Sequence, residues 1–197
     1  NNTGMTIGGG YSDQTGYVTN FPCDIVVESE SYIKTDGTVL LTYNTGDLKI
    51  TSVDNAKLSL TVLRQANNFT ASSSIETRSD TTFENANLEL TAYTYGCQNV
   101  QIQGDLNILN SNVKIVNNDG TSSKIATYAI QLSNKTEDDI SNLVIRNSVV
   151  ESTQVVQGGT IPAFYFPGTF TIERSDIEIS ANAKAFSSHP YIVEGSL

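Results

Sequence analysis

Residues 106–115 read LNILNSNVKI, and the parity of this stretch decides the fold. Leu106, Ile108, Val113 and Ile115 are apolar with mostly polar residues between them, the pattern of a strand with one buried face. The step from Ile108 to Val113 is five residues, and in a straight strand an odd step crosses to the opposite face. Burying both apolar pairs therefore requires the chain to bend or bulge at Asn110-Ser111-Asn112.

The same slip recurs. VDNAKLSL (53–60), FENANLEL (83–90), ILNSNVKI (108–115), IRNSVVES (145–152) and IERSDIEI (172–179) superpose without gaps. Each begins on an apolar residue: Val53, Phe83, Ile108, Ile145 and Ile172. Two positions on stands Asn55, Asn85, Asn110, Asn147 or Arg174. A small residue follows, then after one intervening position an apolar one: Leu58, Leu88, Val113, Val150 and Ile177. Lead-ins repeat too, as GDLKI (46–50), GDLNI (104–108), GTFTI (168–172) and, more weakly, SNLVI (141–145). The first copy carries three extra residues between Ile50 and Asn55.

Asn tolerates a left-handed backbone better than most residues with a side chain, and its amide can bond to nearby main chain. The motif thus reads as strand, one-residue corner, strand. A β-bulge in a sandwich or jelly roll explains one such slip but not five. Corner spacings of 30, 25, 37 and 27 residues suit one turn of a β-solenoid with loops of varying length. The expectation is an all-β solenoid of about six coils over residues 21–197, with the Gly-rich residues 1–20 as an N-terminal strap or cap. DIVVES (24–29) and TVLLTY (38–43) supply the first coil, and PYIVEGSL (190–197) begins a strand and stops.

Corner asparagines between two short apolar strands resemble the asparagine ladder of right-handed parallel β-helices, the pectate-lyase-like superfamily. The resemblance covers about residues 46–180, and Arg174 departs from it. It implies a right-handed parallel β-helix. It does not single out a function, because that fold serves lyases, hydrolases, adhesins and passive surface proteins.

Composition narrows the function classes. The formal charge of −10 would repel phosphate backbones, so nucleic acid is not an expected partner. No apolar run approaches membrane-spanning length, and no membrane insertion is expected. The balance of Asn, Ser, Thr and Gly over Lys and Arg is common in secreted or surface-displayed β proteins. The localisation expected is extracellular. The chain starts on Asn1, which reads as a processed chain or a piece of a longer one. Asn1-Asn2-Thr3, Asn68-Phe69-Thr70 and Asn134-Lys135-Thr136 fit the glycosylation pattern, at a frequency that chance explains. The two cysteines, Cys23 and Cys97, fall in coils too far apart for a disulfide and are expected as free, buried thiols.

Catalytic constellations are thin. His189 is the only histidine and lies outside any nucleophile elbow. For pectin hydrolases the resemblance implies paired aspartates with Gly-His-Gly and Arg-x-Lys, of which only Asp138-Asp139 has a counterpart. For lyases it implies a calcium-carboxylate cluster beside a cation, with Arg146 and Arg174 as candidates that read equally well as polar corner residues. Glu137, Asp138 and Asp139 form the one run of carboxylates that could hold calcium, against the plainer reading of a solvated loop. No other cofactor is expected.

Aromatic residues lead further. Tyr93, Tyr95 and Tyr128, with Phe164, Tyr165 and Phe166, recur at comparable places in successive coils, and Tyr43 adds to them. Outward rings edged by Asn, Ser and Thr would suit sugar faces; inward rings would be core. Alternation in TYAIQL (127–132) points Tyr128 inward, and leaves Tyr93, Tyr95 and Tyr165 open. The leading expectation is a non-catalytic extracellular module that binds polysaccharide or a host surface through Tyr93, Tyr95 and Tyr165. The alternatives are a structural spacer or stalk of a larger surface protein, and a truncated polysaccharide lyase or hydrolase.

Overall fold

The computed structural model describes residues 5–7, 23–35, 39–42, 46–63, 73–93, 99–118, 128–156, 163–183 and 193–194. They form an all-β parallel solenoid with three faces. The first face stacks Cys23–Val27, Leu48–Ser52, Thr81–Glu84, Leu106–Leu109, Leu143–Arg146 and Phe170–Glu173. Across the asparagine corner, the second face stacks Ser31–Thr35, Lys57–Val62, Asn87–Ala92, Asn112–Asn118, Val149–Val156 and Asp176–Ala183. The third holds Met5–Ile7, Leu40–Thr42, Ile75–Thr77, Val100–Gln103, Ile130–Ser133, Phe164–Tyr165 and Val193–Glu194. Of the expected N-terminal cap only Met5–Ile7 is described, as a strand of this third face; the rest lies outside the described residues.

Stacking in register puts like on like. Ile50, Phe83, Ile108, Ile145 and Ile172 follow one another up the first face. Leu58, Leu88, Val113, Val150 and Ile177 do so on the second, and Ile75, Val100, Ile130 and Phe164 on the third. Nearly all are buried. Each fully covered aliphatic side chain contributes about 1.5–3 kcal/mol, so the stack itself holds the coils together. At one end Phe170 packs against Phe164 edge-on and against Phe166 at 5.3 Å.

About four turns, rather than the expected six, carry this core. They span 48–77, 81–103, 106–133 and 143–165. The strands before and after act as end layers, because a coil with one neighbour leaves its inward residues part-covered. Cys23, Ile25, Ile33, Phe170, Ile177 and Ile179 are only partly buried, and Ile172 is 51% exposed.

The corner residues all lie in the left-handed region: Asn55 at φ 60°, Asn85 at 50°, Asn110 at 49°, Asn147 at 48° and Arg174 at 48°. Arg174 thus turns the chain as the asparagines do. Their side chains are exposed, and one amide contact joins them, Asn147 Nδ2 to Asn110 Oδ1 at 3.2 Å. Inside the corner the small residues carry a ladder of their own. Ala86 N–H donates to Ser111 Oγ at 2.9 Å, Ser111 N–H to Ser148 Oγ at 3.0 Å, and Ser148 N–H to Ser175 Oγ at 3.1 Å. Hence Asn sets the backbone and Ser supplies the bonds. In the first copy Val53 does not take the core position expected of it. It is 45% exposed, because Val53–Asn55 form an inserted 3-10 turn and Ile50 fills the stack instead.

The lead-in residues build a second ladder where the third face turns into the first. Asp105 N–H donates to Asp80 Oδ1 at 2.8 Å, Asn142 N–H to Asp105 Oδ1 at 2.7 Å, and Thr169 N–H to Asn142 Oδ1 at 2.9 Å. Gly104 is required here: its φ is +150°, and a Cβ would lie 2.7 Å from Asp80 Oδ1 and 2.9 Å from the Asp80 nitrogen. Where the second face turns into the third, buried Asn99 donates from Nδ2 to Leu90 O at 3.0 Å and Asn117 Oδ1 at 2.8 Å. Three corners, each with repeated polar bonds, fix the strand register that places the outward side chains.

Candidate functional site

The third face presents the most distinctive surface. Ile75, Thr77, Val100, Ile102, Ile130, Leu132, Phe164 and Phe166 are buried, so strand alternation turns Glu76, Gln101, Gln131 and Tyr165 outward. These four are consecutive register partners and form one row across the strands. Neighbouring strands lie about 4.8 Å apart, which sets the spacing of the row.

Tyr165 does not stand alone. Its ring meets that of Tyr128 with centroids 5.4 Å apart and planes tilted by 41°. Both rings are half-buried. Tyr128 is therefore not the inward residue that alternation implied. Ala129 and Ile130 are both buried, so the corner slips parity between them and returns Tyr128 to the outer side. Such an aromatic pair contributes about 0.5–1.5 kcal/mol beyond its buried area, enough to hold two rings as one platform.

Beside this platform lies Gln131, whose Oε1 is shielded from solvent and has no hydrogen-bond partner. Three other buried side-chain atoms among the described residues are unpaired: Ser79 Oγ, Asn99 Oδ1 and Ser152 Oγ. Those three belong to fully covered residues of the coil interior, whereas Gln131 is on the outer row. An unpaired shielded acceptor costs about 1–3 kcal/mol of stability. Gln103 continues the polar surface, with Nε2 donating to Asn134 O at 3.3 Å.

The other tyrosines fall elsewhere. Tyr93 stands just past the second-face strand Asn87–Ala92, 39% exposed, with its main-chain N–H donating to Val62 O at 3.0 Å. It therefore shares no face with Tyr165. Tyr95 and Tyr43 lie outside the described residues. Among those described, the expected tyrosine row is instead a Tyr128–Tyr165 pair continued by amides and a carboxylate. Sequence reading passed over Gln101 and Gln131, although VQIQ (100–103) and IQLS (130–133) repeat an apolar-Gln-apolar triplet at one register.

Glu137, Asp138 and Asp139 are exposed in the loop after Ile130–Ser133. Among the described residues no three His, Cys, Asp or Glu side chains converge to hold a metal ion, this triplet included. Both candidate cations have a partner: Arg146 Nε lies 3.2 Å from Glu173 and Arg174 2.9 Å from the same carboxylate. Lys135 meets Asp80 at 2.7 Å. Cys23 is a free thiol, half-buried rather than fully buried because it belongs to an end layer. Burial pushes its pKa up, and Asp24 adds to the shift. Cys97 and His189 lie outside the described residues.

Compared with family models, curated proteins and solved structures, the chain matches none of them.

Proposed function

We propose that this chain is a non-catalytic β-solenoid module of an extracellular protein that binds polysaccharide at its third face. The observation that supports this is the Tyr128–Tyr165 platform, half-buried and set in an outward row of Gln131, Gln101 and Glu76. A flat apolar ring covers the C–H face of a pyranose, while side-chain amides donate to and accept from its hydroxyls. Rigid strands hold these groups in place, so little ordering entropy is lost on binding.

The test is titration of the intact chain with a panel of soluble polysaccharides by calorimetry or affinity electrophoresis. Tyr165→Ala should weaken binding at least about tenfold, the loss of roughly 1.4 kcal/mol of stacking. Tyr93→Ala should leave it unchanged. Undiminished binding by Tyr165→Ala, at an unaltered melting temperature, would move the site off the third face.

A second reading has its own support. The outer surfaces of the first and second faces carry ion pairs between coils, Lys49 with Glu84 and Lys57 with Glu89, as a spacer requires for solubility along its length. A wild-type chain that retains no polysaccharide of the panel would leave the structural spacer as the function.

A further inference from the structure

We infer that the ligand of this row is a neutral, extended glycan with equatorial β-linkages, lying across the strands with one ring per coil; this rests on the polysaccharide reading above. The row formed by Glu76, Gln101, Gln131 and Tyr165 is straight, because it follows parallel strands paired residue for residue. Its repeat is the strand spacing of about 4.8 Å. An equatorially linked hexopyranose chain extends as a flat ribbon whose advance per ring is close to that spacing. An α-1,4-linked glucan, joined axial to equatorial, curls and would meet the row at one point only.

The chemistry of each position fits the same ribbon. Tyr165, backed by Tyr128, takes one ring face-on. Gln131, one strand away, presents its side-chain amide on the outer row beside that ring. Gln101, the next partner, offers a second amide of the same kind. Charge decides against uronates. Glu76 stands in the row, Glu194 is the register partner of Tyr165 on its other side, and the chain carries a formal charge of −10. An acidic polymer would approach against the net negative charge of the chain.

Gln131 supplies a readout that a purely structural role would not give. Gln131→Leu replaces an amide whose Oε1 is unpaired by an apolar side chain of similar size, which removes a desolvation cost and should raise the melting temperature. The same change should weaken glycan binding by about tenfold, the loss of one hydrogen bond. The experiment titrates the intact chain, without divalent cations, with β-1,4-linked gluco-, manno- and chito-oligosaccharides, with amylose fragments and with oligogalacturonates. Affinity should rise with oligosaccharide length over about the first four rings, which span Tyr165, Gln131, Gln101 and Glu76. It should be weaker for the α-linked and acidic series.

Binding by the wild type that is lost in Tyr165→Ala, yet indifferent to linkage or strongest for galacturonates, would overturn this inference and leave the binding module standing. Gln131→Leu that gains stability at unchanged affinity would overturn it too. Failure of every glycan to bind would remove both readings.

Discussion

The main-chain N–H of Ser111 donates to Oγ of Ser148, one coil further on, at 3.0 Å, and both serines are buried. The neighbouring Asn110 and Asn147 turn the corner with side chains in solvent. Conformation and bonding at this corner are thus divided between adjacent residues, and mutations can separate them.

Ser111→Ala leaves the Ala86 N–H without its acceptor inside the coil and should cost about 1–3 kcal/mol. Asn110→Gly keeps the left-handed backbone and should change stability by less than about 1 kcal/mol. Asn110→Leu should cost about 1–2 kcal/mol through backbone strain alone. Urea denaturation of the three variants checks this. Equal losses for Ser111→Ala and Asn110→Gly would show that the asparagine amide, and not the serine ladder, closes the corner.

Arg174 adopts φ 48° with a long side chain that is exposed. Its ion pair to Glu173 lies in solvent and contributes little. Arg174→Asn should therefore raise stability by up to about 1 kcal/mol, by placing a residue suited to that region at the last corner. A lower melting temperature would mean that the guanidinium does more than pair with Glu173.

Gly104→Ala should destabilise by about 1–3 kcal/mol. Its Cβ would meet Asp80 Oδ1 at 2.7 Å and the Asp80 nitrogen at 2.9 Å, and the nitrogen cannot rotate away. Displacing Asp80 would also break its bonds to Asp105 N–H and Lys135. Thermal melts compared with Asp80→Ala separate the two contributions. A neutral Gly104→Ala would show that this corner has room to spread.

The Cys23 thiol is held above its ordinary pKa by burial first and by Asp24 second. The thiolate is the reactive form, so at about pH 8 Cys23 should react more slowly with a disulfide reagent in the folded chain than in urea. The midpoint of its pH–rate curve should lie higher in the folded state. For stability the sign is the same: this thiol contributes fully below the unfolded-state pKa, and the contribution is lost as pH rises through the raised folded value. Measurement in a Cys97→Ser background isolates the group. A folded rate equal to the unfolded one would place the thiol in solvent.

The asparagine corners, the parallel coil and the stacked apolar positions were legible because each depends on local parity and recurs. One odd step from Ile108 to Val113 cannot be satisfied by a straight strand, and five such steps cannot all be isolated bulges. Val53 misled, since a three-residue turn inserted at the corner shifts the core position back to Ile50 without leaving a Gly or Pro to mark it. The Asp80–Asp105–Asn142–Thr169 ladder left only the faint trace of the repeated lead-ins, because its members bond across coils and not along the chain.

By itself, then, the sequence determined what a strand must bury and where its backbone must turn, since both are set by residues a few positions apart. The tertiary structure decided which outward residues meet. Tyr128 and Tyr165 are 37 positions apart in the chain, and the 5.4 Å between their rings depends on register and on a parity slip at Ala129–Ile130. Gln131 acquires its unpaired oxygen only by being covered, and cover comes from neighbours that no local pattern names.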